Sequence, residues 1–320
     1  MRTLTLITSL LALGVIVLGA YTRLSDAGLG CPDWPGCYGH WVVPSSENEL
    51  SLAQTTFQQP VEANKAWTEM VHRYLAGSLG ISVIAVAIFG FIRKFKQGKF
   101  PLTSSLLIAL IIFQALLGMW TVTLLLKPVI VLLHLCGGLT ILSLVWWQFL
   151  TTKRNRVRPA GNYHRYTPWA IMGLAILVMQ IIFGGWTSTN YAALICPDFP
   201  FCQGRLLPGI NLHGFFAGHD NTALISIHMM HRLGALITVT FLGILSISLI
   251  GFSEDRIARR LGLILFVLLA TQLTFGVLNV THYLPMPIAV GHNLVAALLL
   301  LTMISLTFRL TRNNTGIFNV

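Results

Sequence analysis

The sequence predicts an all-α integral membrane protein, with eight transmembrane helices in two pseudo-symmetric four-helix bundles and both termini in the cytoplasm. Three observations carry that expectation. The 320 residues are 55% hydrophobic and only 10% charged, with a mean hydropathy of +0.74, outside the range of soluble globular chains. Basic residues concentrate in alternate loops, as positive-inside topology requires. The second half of the chain also repeats the first.

Apolar runs of about 20 residues, enough to cross roughly 30 Å of hydrocarbon as helix, fall near 4–22, 67–92, 101–124, 129–151, 167–187, 222–250, 257–280 and 285–309. The first, behind Arg2, reads as a retained helix. It is long for the apolar region of a signal peptide and lacks a small-x-small cleavage site. Of 21 Lys and Arg, 15 stand in the N-terminal, even-loop and C-terminal segments. They are Arg2; Arg93, Lys94, Lys96 and Lys99; Lys153, Arg154, Arg156, Arg158 and Arg165; Arg256, Arg259 and Arg260; and Arg309 and Arg312. Those segments are therefore expected to be cytoplasmic. Eight of the ten acidic residues (Asp26, Asp33, Glu47, Glu49, Glu62, Glu69, Asp198 and Asp220) stand in the odd loops or the adjoining helix ends. The net charge of +11 is thus a topology signal and gives no reason to expect a nucleic-acid partner.

Two odd loops hold cysteine pairs, Cys31 with Cys37 in "GLGCPDWPGCYG" and Cys196 with Cys202 in "CPDFPFCQG". On the outer face these loops meet an oxidising compartment, where disulfides persist. Turn-forming Pro, Asp and Gly between the cysteines can bring each pair of sulfurs within reach. A structural disulfide and a redox-active dithiol both fit the pattern. Cys136, inside the fourth span, is expected to be a small core residue.

The repeat sets "GAYTRLSDAGLGCPDWPGCYG" from residue 19 on "GGWTSTNYAALICPDFPFCQG" from 184, at an offset of 165. It sets "EMVHRYLAG" from 69 on "HMMHRLGAL" from 228, and so His72 on His231. It then sets Gln114 on Gln272, Gly118 on Gly276, Thr123 on Thr281 and His134 on His292. Four spans in each half make the copies parallel repeats. The expected organisation is a bundle at 1–151, a basic cytoplasmic linker at 152–166 and a second bundle at 167–320.

Each half therefore keeps one histidine in its second span and one in its fourth. Ionisable side chains inside membrane helices are costly and usually functional. Two imidazoles from two helices, with no further Cys or carboxylate cluster, fit a tetrahedral zinc site poorly. They fit the two axial positions of a haem between helices. Small residues beside them (Ala76, Gly77, Gly137, Gly138, Gly234, Ala235, Ala296 and Ala297) permit close approach, and equally serve ordinary helix packing. All four histidines fall early in spans that run from outside to inside. Both haems would then lie toward the outer leaflet, which suits an enzyme better than a wire across the membrane.

One break in symmetry marks a reacting half. Glu69 stands three residues before His72, on the same helical face, whereas His228 holds the matching place before His231. The carboxylate is either a general acid/base or electrostatic group or a solvated helix-start glutamate. Arg73 and Arg232 follow the histidines directly and leave three readings open: a propionate contact, an interfacial anchor, or a contact with another group. Asn211, His213 and His219 precede the sixth span and read as ordinary polar loop residues or the lining of an access path.

The E-x-x-H at Glu69 to His72, the partners His134, His231 and His292, and a cysteine pair in each long outer loop resemble the haem A synthase family over nearly the whole chain. The resemblance implies oxidation of the C8 methyl group of haem O to the formyl group of haem A, for terminal oxidases. It implies a substrate haem on His72 and His134 with Glu69 catalytic, a haem b cofactor on His231 and His292, and disulfides Cys31–Cys37 and Cys196–Cys202. It implies a bacterial or mitochondrial inner membrane; the N-terminus, which is not transit-like, favours the bacterial one, and the charge pattern places the cysteine loops outside. Expected partners are haem O, membrane lipid, haem O synthase and oxidase assembly factors; no motif names the electron donor. The rival readings are a dihaem b-type electron carrier and a haem-binding transporter or chaperone.

Overall fold

A computed structural model describes residues 1–152, 163–211 and 220–311. Lys153, Arg154, Arg156 and Arg158 of the expected linker, His213 and His219, and Arg312 lie outside the described residues. Among the described residues the protein forms nine α-helices and two short 3-10 helices, with only isolated β-bridges. The helices are α1 (Arg2–Leu24), α2 (Glu47–Phe57), α3 (Ala63–Phe95), α4 (Leu102–Thr123), α5 (Pro128–Thr152), α6 (Thr167–Thr189), α7 (Asn221–Phe252), α8 (Arg256–Thr281) and α9 (Met286–Thr311).

All but α2 are long and apolar enough to cross a membrane, and they coincide with the eight expected spans to within a few residues. The reason is physical. Hydrocarbon offers no partner to a backbone amide, so an apolar run of this length must satisfy its N–H and C=O groups internally, as a helix does. Large apolar side chains such as Ile81, Leu236 and Ile244 remain exposed on these helices. Lipid is the solvent that suits such faces. The protein is a multi-pass membrane protein.

Helix α2 was not anticipated, although its start is written in the sequence as Ser46-x-x-Glu49. The Glu49 amide donates to Ser46 Oγ (3.3 Å) and the Ser46 amide donates to Glu49 Oε2 (3.1 Å), a reciprocal capping box. Gln58, in the left-handed conformation, ends the helix. Carboxylates likewise open α7 and α8. Asp220 accepts from the Ala223 amide and Asp255 from the Ile257 amide.

The chain divides into two compact units, Met1–Val145 and Trp146 onward. In the first, α1 packs on α3 and α3 on α4; Gln114 of α4 bonds His134 of α5, and Gly138 of α5 faces Ile16 of α1. In the second, α6 packs on α7, α7 on α8, α8 on α9 and α9 back on α6. The second unit thus closes a ring of helices; in the first, His72 lies against α1 and His134 against α4.

Candidate functional site

The four histidines occupy corresponding places. All fall within the first eleven residues of helices that start at Ala63, Pro128, Asn221 and Met286. Each sets the Cε1 edge of its imidazole against a glycine of a neighbouring helix. A Cβ built on Gly19 of α1 would stand 2.9 Å from His72 Cε1, and one on Gly184 of α6 would stand 3.0 Å from His231 Cε1. On Gly118 of α4 and Gly276 of α8 it would stand 3.4 and 3.3 Å from His134 and His292. At Gly19 and Gly184 a residue without a side chain is what lets the ring and the facing backbone approach this closely, whereas at Gly118 and Gly276 a Cβ would fit more easily. His72 and His134 belong to the first unit, and His231 and His292 to the second.

Glutamines brace three of the rings. Gln114 Nε2 donates to the backbone carbonyl of His134 (2.8 Å) and lies 3.2 Å from its Nδ1. Gln180 Nε2 donates to the carbonyl of His231 (3.0 Å) and lies 3.0 Å from its Nδ1. Gln272 Nε2 lies 3.1 Å from His292 Nε2. The side-chain oxygens of Gln114 and Gln180 press on Gly137 and Gly234, where any Cβ would overlap them. Among the described residues His72 Nδ1 is buried with no hydrogen-bond partner, and so is His292 Nδ1.

Above these histidines the two cysteine loops are built alike. Disulfides join Cys31 to Cys37 and Cys196 to Cys202, with Cα atoms 4.8 and 4.5 Å apart. A cis proline follows Trp34 in one loop and Phe199 in the other. Asp33 accepts from the amides of Tyr38 (2.6 Å) and Gly39 (2.8 Å), and Asp198 accepts from those of Gln203 and Gly204 (both 2.8 Å). These two amides hold the Asp198 carboxyl below the usual carboxylate range, with that of Gly204 contributing most. The first disulfide packs with Ala66 and Met70 of α3, and the second with Ile225 and Met229 of α7.

The arginine after each histidine clamps its loop. Arg73 donates to the carbonyls of Asp33 (2.9 Å), Pro35 (3.3 Å) and Gly36. Arg232 donates to those of Cys196 (2.8 Å), Asp198 (3.2 Å), Pro200 (3.4 Å) and Phe201 (2.8 Å). Of the three readings left open for these arginines, the contact with another group is the one observed. Glu69 is buried, with 4% of its surface exposed, so the solvated reading fails for it. Its Oε1 pairs with Arg73 and its Oε2 accepts from the Cys31 amide at 2.9 Å. At the matching place His228 donates from Nδ1 to the Ala192 carbonyl at 2.8 Å.

The structure thus gathers Glu69, Cys31 and Cys37 directly above His72, and sets Cys196 and Cys202 above His231. The four histidines divide two to a unit. Among the described residues no three His, Cys, Asp or Glu side chains cluster to hold a bare metal ion. Of the small residues expected beside the histidines, Gly137 and Gly234 receive the glutamines, whereas Gly77 meets nothing within 4 Å. Cys136 is half-buried and carries a free thiol, less enclosed than a core residue. The Asn211 amide donates to Ser226 Oγ (2.8 Å), tying the loop to α7. The glutamine braces escape the sequence pattern except for the match of Gln114 with Gln272.

Fold and site together define a class: a helical membrane protein with two internal pairs of imidazoles, each under a disulfide-bonded loop. Residues 2–304 match the cytochrome oxidase assembly protein family, COX15-CtaA, and the chain belongs to that family. It is 42% identical to a haem A synthase of Shewanella oneidensis over 94% of both chains. It is 26% identical to a haem A synthase of Granulibacter bethesdensis over 89% of this chain and 80% of that one. A haem A synthase of Halalkalibacterium halodurans shares 25% identity over 98% of both.

Proposed function

We propose that this protein is a haem A synthase, oxidising the C8 methyl group of haem O to a formyl group for terminal oxidase assembly. The observation that carries this reading is the pair of half-buried imidazoles inside each unit of a chain of this family. The residues fit a haem. Each ring lies edge-on to a glycine, His72 and His292 each present a buried unpartnered nitrogen, and two histidines per unit match two axial positions. His231 and His292 would hold haem b, which supplies one-electron transfer when bound. His72 and His134 would hold haem O as substrate.

Glu69 is the proposed catalytic group. Arg73 and the Cys31 amide fix its carboxylate one helical turn from His72, where a fixed charge can stabilise developing charge or handle a proton. The bundles are proposed to be pseudo-symmetric, at 1–151 and 167–320 with a linker at 152–166. Both termini would be cytoplasmic, and the cysteine loops would face outward from a bacterial inner membrane. Haem O synthase and oxidase assembly factors are the proposed neighbours.

Glu69→Gln tests the assignment, because glutamine still offers an acceptor to the Cys31 amide. The expected outcome is retained haem with haem A formation lowered about 10²-fold or more. Undiminished conversion would remove Glu69 from the chemistry.

A further inference from the structure

Three of the four histidines have a glutamine, and the exception is His72. The repeat shows where the two halves differ. Gly19 corresponds to Gly184, both touching the edge of a histidine. One turn earlier α6 carries Gln180, which reaches His231, while α1 carries the buried Val15. Three residues after His231 stands Gly234, which leaves room for the glutamine oxygen; three residues after His72 stands Leu75. Valine for glutamine and leucine for glycine together leave His72 without a brace. His134, its neighbour in the same unit, keeps both Gln114 and Gly137. Glu69 and Arg73, on the same helix as His72, are both committed to the loop.

An iron held by two imidazoles has no open position, and contacts behind a ligating ring are what hold it in place. We infer that His72 is the ligand that lets go of the substrate iron, while His134 holds it throughout. The inference rests on reading this pair as the haem O ligands. Steric contact with Gly19 orients the His72 ring but supplies no hydrogen bond that would oppose release. Release on this side opens the iron beside α1 and beneath the loop that Glu69 anchors. In the second unit a glutamine side chain meets each histidine, which suits a resident cofactor.

The test uses the purified full-length protein supplied with haemin, with haem per chain and spin state read together. Wild type should take up about two haems per chain, both six-coordinate and low-spin in the ferric state. His72→Ala should keep both haems, with one of them five-coordinate, high-spin and able to bind carbon monoxide once reduced. His134→Ala should fall to about one haem per chain, because the unbraced ligand alone does not retain it. The graft Val15→Gln with Leu75→Gly should weaken carbon monoxide binding to the first unit about tenfold or more.

Equal haem loss from the two alanine variants, or loss from His72→Ala alone, overturns the inference while leaving the pair as haem ligands. Carbon monoxide affinity unchanged by the graft overturns it independently. Wild-type uptake of haem through His231 and His292 alone would instead overturn the assignment of the first pair, and this inference with it.

Discussion

Four imidazoles end against four glycines, and the distances rank the consequences of adding a methyl group. At Gly184 a Cβ would stand 3.0 Å from His231, closer than real Cβ atoms ordinarily pack, whereas at Gly243 nothing lies within 4 Å. Gly184→Ala is therefore expected to tilt the imidazole and lower haem retention about 10-fold or more, with Gly243→Ala as a silent control. Haem content and the low-spin ferric resonance of purified protein check both. Gly19→Ala against Gly14→Ala is the same comparison at His72. The histidines were legible at this scale, because the repeat aligns His72 with His231; the glycines that face them were not singled out, although the same repeat aligns Gly19 with Gly184 and Gly118 with Gly276. The brace at His231 was not legible. Its glutamine comes from a neighbouring helix, and its counterpart in the first half is Val15, so neither local pattern nor repeat points to it.

At the scale of elements, each disulfide loop is fastened to the helix beneath it by one arginine. Arg232→Ala removes donors to four carbonyls. It is expected to cost about 1.5–3 kcal/mol and to speed reduction of Cys196–Cys202 by an added thiol. Arg73→Ala also strands the buried Glu69 carboxylate and should cost more, roughly 3–5 kcal/mol. Thermal unfolding in detergent, with thiol-reduction rates, measures both. A second fastening joins α8 to α9, where Arg309 Nε donates to Asp255 Oδ2 at 2.7 Å.

Burial raises the Asp255 pKa, but the bonds from Arg309 and the Ile257 amide outweigh it and leave the carboxyl below its usual value. The pair should therefore stabilise the protein above the ordinary carboxylate pKa of about 3.9. That contribution should fade as pH falls through the lower folded value. Asp255→Asn keeps a capping side chain on α8. It is expected to lower stability by about 1–3 kcal/mol near neutral pH, with the gap from wild type closing below pH of about 3.5. Spans were legible from hydropathy because the membrane enforces helix. The loop clamps were not, since sequence left Arg73 and Arg232 with three possible partners. Helix α2 was missed despite its capping box, because it lies outside the hydropathy signal that identified the spans.

For the whole molecule, duplication is the organising fact. Two units carry the same cysteine loop, the same arginine clamp and the same placement of histidines against glycine. They differ at Glu69 against His228 and at Val15 against Gln180. Those differences suit one unit holding a substrate and the other a cofactor.

The decisive measurement is reversed-phase analysis of haems extracted from aerated membranes that make haem O, with and without this protein. The account requires haem A to appear as haem O declines. Haem b bound to the protein with haem O unchanged, under an intact electron supply, would contradict it.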